Sequence, residues 1–247
     1  MRILISNDDG YQAKGIKQLA ESLSEIADII IVAPNENKSA ASSSLTIGRP
    51  LEPVQIDDNI FAIDATPSDC VHLALCGFIK EPIDLVVTGI NYGANLGDDV
   101  IYSGTVAGAI EGRFLGLPSI AISLASWECK YFETAGVIAK QLVAQIDKAP
   151  LSHKTIINVN VPDVPIEEIK GIKGTRLGNR HMSEPSIQDK KNPSLYWIGE
   201  NGQEADNAEG TDFYAIANNF VSVTPLQIDL TMYNEIKTVS KWLGNLV

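Results

Sequence analysis

Two hydrophobic patterns alternate along the chain up to about residue 165. Short apolar runs bounded by turn residues read as buried strands, and longer stretches with apolar residues three and four apart read as helices. "RILIS" is the first such run, and it leads to "KGIKQLAESLSEI", where Ile16, Leu19, Ala20 and Leu23 share one helical face. "DIIIVAP" is a second strand, stopped by Pro34. "LEPVQIDDNIFAID" reads as a β-excursion. In "TPSDCVHLALCGFI", Thr66 is placed to cap a helix, Pro67 to occupy its first position and Asp69 to reach back to the cap. "IDLVVTG" and "PSIAISL" are strands flanking the Gly/Ala-rich "SGTVAGAIEGRFLG", a helix small enough on its surface to lie close to a sheet. "YFETAGVIAKQLVAQI" is a further helix and "TIINVNVP" a further strand.

Strands alternating with helices predict an α/β fold: a Rossmann-like, doubly wound, mostly parallel sheet covered on both faces. In such sheets ligands bind beyond the carboxyl ends of the strands. From about Gly171 the texture changes to turn residues and short β-like runs, "SLYWIG", "DFYAI" and "FVSVTPL". These predict antiparallel hairpins projecting from the core, followed by a helix in "MYNEIKTVSKWL". The expected organisation is one domain over residues 1–247, with the α/β core at 1–165 and a β-hairpin extension and C-terminal helix at 166–247.

Composition narrows the function. In 247 residues, 31 acidic side chains outnumber 19 basic ones, a formal net charge of −12. Binding to nucleic-acid polymers or anionic membranes needs a basic footprint, so neither is expected. A small anionic ligand needs local positive charge from a cation or a helix N-terminus. No apolar run reaches membrane-spanning length, and the N-terminus lacks the features of a signal peptide. Three cysteines, Cys70, Cys76 and Cys129, without metal spacing fit a reducing cytoplasm and buried structural thiols.

The candidate chemistry begins at "SNDDG". Asp8 and Asp9 on a strand would point to opposite faces, so they converge only if the chain has already begun to turn, as Gly10 allows. Convergent carboxylates repel, and a divalent cation relieves that repulsion. An ordinary polar turn reads equally well from this stretch alone. Asn91 and Asn95 lie in the Gly-rich "GINYGANLGDD", and Ser39 in the polar "NENKSAASSSLT". Carboxylates, an amide carbonyl and a hydroxyl suit a hard cation such as Mg²⁺ or Mn²⁺. Ser103, Gly104 and Thr105 open the Gly/Ala-rich helix and offer N–H groups to an anion, or a plain N-cap. There is no Walker A lysine, no GxGxxG after the first strand and no GxSxG elbow. His72, His153 and His181 have no evident partners, and His72 reads as structural. Arg176 and Arg180 are candidates for substrate or subunit contacts, with solvated charge as the simpler reading.

Taken in order, "SNDDG", "VAPNENKSAASSSLT", "TPSDCV", "VVTGINYGANLGDDVIYSGTVAGAIEG", "LPSIAISL", "NVNVP" and "VSVTPL" resemble the SurE family of stationary-phase survival nucleotidases over most of the chain. The resemblance implies a cytoplasmic phosphatase acting on nucleoside monophosphates, 5′- and 3′-, with one divalent ion per subunit, Mg²⁺ or Mn²⁺. It implies Asp8, Asp9, Ser39 and Asn91 as metal ligands, with Asp8 and Asp9 also catalytic, and Asn95, Ser103, Gly104 and Thr105 around the phosphate. It further implies a homodimer or homotetramer built by exchange of C-terminal segments. The chain departs from the commonest family pattern at Ala65, Ala94 and Gln227. Two alternatives stay open: a nucleotide sensor without turnover, and Asp8 rather than water as the nucleophile, with water the expected one.

Overall fold

A computed structural model of the protein describes residues 1–150, 152 and 155–244. The first half runs β1 (Arg2–Ser6), α1 (Lys14–Ser24), β2 (Asp28–Pro34), β3 (Val54–Asp57), β4 (Ile60–Ile63), α2 (Pro67–Leu73), β5 (Leu85–Tyr92) and α3 (Gly104–Phe114). It continues through β6 (Ser119–Ala125), α4 (Phe132–Lys148), β7 (Ile156–Pro162), β8 (Ile172–Gly174) and β9 (Asn179–Arg180). The last part comprises β10 (Ile187–Gln188), β11 (Tyr196–Trp197), β12 (Glu204–Asp206), α5 (Asp212–Ala217), β13 (Val221–Leu226) and α6 (Ile236–Leu243).

One sheet has the order β3-β4-β2-β1-β5-β6-β7-β13-β8. From β4 to β7 every neighbouring pair is parallel. The chain winds outward from β1 to β2 and β4, then returns to the other side of β1 at β5 before continuing to β6 and β7. The winding direction therefore reverses between β1 and β5, which leaves a crevice at their carboxyl ends.

Alternation along β1 sorts its side chains between two cores. Ile3 and Ile5 pack with Ile16 and Leu19 of α1 and Ile138 of α4, whereas Leu4 packs with Cys70 and Val71 of α2. Full burial of each such chain contributes roughly 1.5–3 kcal/mol. The predicted capping box of α2 is present: Thr66 accepts from Asp69 N, and the Asp69 carboxylate accepts from Thr66 N. Close approach of α3 depends on its glycines. A Cβ at Gly112 would lie 2.7 Å from Val86 Cγ2, and one at Gly108 would lie 2.8 Å from Thr88 Cγ2. This proximity sets the N-terminus of α3 against the end of β1.

The C-terminal part differs from the sequence expectation in two places. "FVSVTPL" is no projecting hairpin, because β13 pairs antiparallel with β7 from Ser222↔Asn160 to Leu226↔Ile156 and enlarges the core sheet. "DFYAI" is helical, as α5, with Thr211 capping it by accepting from Tyr214 N. That cap decides between helix and strand for a short apolar run. "SLYWIG" does supply β11, which pairs antiparallel with β10. Cys70 and Cys129 are buried, but Cys76 is exposed, contrary to the expectation of three buried thiols. Among the described residues no helix is long and apolar enough to cross a membrane.

Candidate active site at the crevice between β1 and β5

β1 ends at Ser6, so Asp8 and Asp9 lie in the turn that follows. Asn7 Nδ2 closes that turn on Gly10 O at 2.9 Å, and Gly10 has φ +96°, a conformation costly for residues with a Cβ. Lys38 N donates to Asp8 O at 2.7 Å, which carries the loop after β2 over the turn and brings Ser39 to the same rim. That loop is anchored rather than free. Asp69 accepts from Thr46 N and Thr46 Oγ1, each at 2.7 Å, and Ser42 Oγ donates to Ile101 O.

β5 carries one more residue than β6 between two paired positions, Thr88↔Ala121 and Asn91↔Ser123. Such a bulge re-aims the side chains at the end of a strand. Asn91 Nδ2 donates to Gly93 O at 2.8 Å, which leaves the amide oxygen as the group available to a ligand. Asp9 Oδ2 accepts from Tyr92 N at 3.1 Å, so the first carboxyl turn and the end of β5 are joined directly.

Asp8, Ser39, Asn91, Asn95 and Ser103 line one cavity of about 770 Å³. Ser103 Oγ accepts from Val106 N as the cap of α3, and its hydroxyl proton remains to be donated to a ligand. Gly104 and Thr105 lie behind Asp8 instead. The Thr105 hydroxyl donates to Asp8 Oδ1, and the Gly104 and Thr105 amides also favour the ionised Asp8. The α3 N-terminus that reads in sequence as a site for an external anion is thus occupied first by the protein's own carboxylate. Even so, burial pushes the Asp8 pKa up, with these hydrogen bonds opposing it. Burial and then the charge of Asp8 push Asp9 up to about 6.

Several site residues carry no signal that reading for chemistry detects. Asn160 Oδ1 accepts from Asn95 N at 2.8 Å, and the side-chain amides of Asn158 and Asn160 both donate to Asn95 O at 2.9 Å. Two asparagines on one face of the apolar "NVNVP" were the available clue, because buried polar side chains need partners. Asp212, wholly buried, accepts from Gly97 N and Gly178 N and so ties the Gly-rich loop to the C-terminal extension. Arg180 is not solvated charge. It grips Asp99 through Nε and Nη2, donates to Gly202 O and lines the cavity. Arg176 pairs with Asp206 at an exposed position and lies outside the cavity lining. His72 pairs with Glu111 at 2.7 Å, and His153 lies outside the described residues.

The cavity's ionisable lining is Asp8, Asp99 and Glu200 against Arg180, whose guanidinium is already engaged by Asp99. An anionic ligand there requires added positive charge. The donors fit a hard divalent cation: the Asp8 carboxylate, a hydroxyl and an amide oxygen line the cavity, and Asp9, outside that lining, lies close enough to feel the Asp8 charge. Among the described residues no group of three or more His, Cys, Asp or Glu is placed to hold a metal. Any cation here is therefore held by at most two charged ligands, the arrangement Mg²⁺ favours when substrate phosphate completes its shell. Fold and site together define a doubly wound α/β protein whose switch-point crevice is lined by oxygen donors and by the Ser103 cap of α3.

The comparisons with known proteins give that class its family. The family described as Survival protein SurE matches residues 3–184. The chain is 73% identical to the 5′-nucleotidase SurE of Ruthia magnifica subsp. Calyptogena magnifica, over all of both chains. It is 52% identical to the 5′-nucleotidase SurE of Legionella pneumophila (strain Paris), over all of this chain and 98% of that one. The crystal structure of the SurE protein from Aquifex aeolicus superposes with a TM-score of 0.87 at 40% identity, covering 98% of this chain and 99% of the other. The chain belongs to the SurE family.

Proposed function

We propose that the protein is a divalent-metal-dependent phosphatase that hydrolyses nucleoside monophosphates, 5′- and 3′-, to nucleoside and phosphate. The observation that carries this reading is the convergence of Asp8, Ser39, Asn91, Asn95 and Ser103 on one cavity at the β1/β5 switch point. The names of the relatives agree with it. Asp8, Asp9, Ser39 and Asn91 hold one cation, Mg²⁺ or Mn²⁺. When bound, that cation neutralises the phosphate and polarises its P–O bonds.

The remaining work falls to the chain. The Ser103 hydroxyl and the Asn95 amide bind the phosphoryl oxygens and stay in place because their backbones are fixed by the α3 cap and by Asn158 and Asn160. Thr105 and Gly104 act one step back, orienting Asp8. A carboxylate held this way has little freedom for in-line attack, so water is the nucleophile: its oxygen bonds to phosphorus as the P–O ester bond breaks, its proton passes to Asp8 or Asp9, and the departing nucleoside oxygen takes up a proton from solvent. The test is phosphate release from a panel of nucleoside monophosphates with Mn²⁺ and with EDTA. Release that EDTA abolishes supports the enzyme, and tight binding without release refutes it in favour of a sensor. Rapid quench with labelled substrate should trap no phosphoryl-protein, and an aspartyl-phosphate on Asp8 would overturn the choice of water.

A further inference from the structure

One cavity residue has no part in the scheme above. Trp127 lines the same cavity yet is 86% exposed, although burial of a tryptophan ring is strongly favourable. One side of the ring rests on Gly93, where an added Cβ would lie 3.6 Å from Trp127 Cζ3. Gly93 is also the residue whose carbonyl accepts from Asn91. Gly93 lies two positions after Asn91, so their Cα atoms are at most about 7.6 Å apart. The ring therefore stands within one nucleoside length of the proposed cation ligands.

The turn that presents the ring is rigid. Ser126 Oγ accepts from Glu128 N at 3.0 Å and Cys129 N at 3.4 Å. Asp163 then accepts from Lys130 N and Tyr131 N, fixing the chain at the start of α4. An aromatic ring that is exposed, preorganised and continuous with a phosphate site has the properties of a stacking platform.

Resting on the nucleotidase reading, we infer that Trp127 is the specificity-determining residue on which the base of the nucleoside monophosphate stacks. Stacking uses the π-face that every base has, so it selects nucleotides over sugar phosphates while tolerating different bases, purines best. It acts on bound substrate and transition state alike, so its effect lies in KM and not in kcat.

The test compares wild type, Trp127→Ala and Trp127→Phe with two substrates, adenosine 5′-monophosphate and ribose 5-phosphate. The ratio of their kcat/KM values should fall about 10-fold in Trp127→Ala, through KM, and recover mostly in Trp127→Phe. An unchanged ratio overturns the inference, even if both activities drop. A second arm is independent of turnover: adenosine should quench the tryptophan fluorescence of the wild type, and Trp127→Ala, which keeps Trp197 and Trp242, should lose that quenching. Absence of quenching in the wild type overturns the inference. Failure of the wild type to hydrolyse either ester counts instead against the nucleotidase reading, and the fluorescence arm still decides the platform.

Discussion

Replacing Asp9 by Asn should make the metal-free protein more stable, and the metal-loaded protein less so. The pKa of Asp9 in the fold is about 6, against an ordinary 3.8, because burial and the Asp8 charge disfavour its ionised form. A folded value above the unfolded one means the fold bears a cost that is absent below about pH 4 and complete once the pH has risen through about 6. The full difference corresponds to about 3 kcal/mol. Solvent screening of a partly exposed group reduces this to about 1.5 kcal/mol. Asn keeps an oxygen for the Tyr92 N–H and carries no charge, so in EDTA at pH 8 it removes the cost. For a chain of this size the gain is about 3–6 °C in Tm. The advantage should shrink as the pH falls through 6 and vanish near 4. In Mn²⁺ the order should reverse, because in the proposed site both carboxylates hold the cation and the wild type gains stability by mass action. Thermal unfolding of both proteins across pH 4–8, with EDTA and with Mn²⁺, reads all of this. A variant less stable than wild type in EDTA at pH 8, or a difference that ignores pH, would refute the reasoning.

Three further predictions follow from named contacts. Gly104→Ala places a Cβ 2.9 Å from the Asp8 Cβ and Oδ2 and should weaken Mn²⁺ binding by about 10-fold or more while leaving Tm within a few degrees, since Ala favours the helix; unchanged calorimetric affinity would show that Asp8 is not a ligand. Asn160→Ala strips a partner from the buried Asn95 N–H and C=O and should cost about 2–3 kcal/mol, with a larger fall in kcat than rise in KM; a variant as stable and active as wild type would dismiss the clamp. The extension at 166–247 exposes Leu230, Met232 and Trp242, so light scattering should give the mass of a dimer or tetramer, and a monomer at micromolar concentration would contradict its proposed role in oligomerisation.

Much of this molecule is legible in its sequence where local pattern and tertiary role agree. "RILIS" and "IDLVVTG" are apolar on both sides because β1 and β5 are central strands, and the turn at Asn7–Gly10 follows from residues that favour turns. The α2 capping box was visible for the same reason. What pattern concealed was partnership across long separations. Asp212 reaches Gly97 from 115 positions away, and nothing local to "TDFYAI" announces this. Arg180 looked solvated because Asp99, which it grips, lies 81 residues earlier. "FVSVTPL" alternates as a half-buried strand would, and only the free edge of β7 decides that it joins the core sheet. The α3 N-terminus reads in sequence as either an anion site or a plain N-cap, and that the protein's own Asp8 lies against it depends on how closely the glycines let the helix approach β5.

The central claim is that the carboxyl ends of β1 and β5 together form one cation seat. Anomalous diffraction from crystals of the protein soaked in Mn²⁺ tests it most directly. A single strong peak per subunit is expected within coordination distance of oxygens from Asp8, Asp9, Ser39 and Asn91, and it should be lost in crystals of Asp9→Asn. A peak seated elsewhere, or one that persists unchanged in the variant, would contradict it.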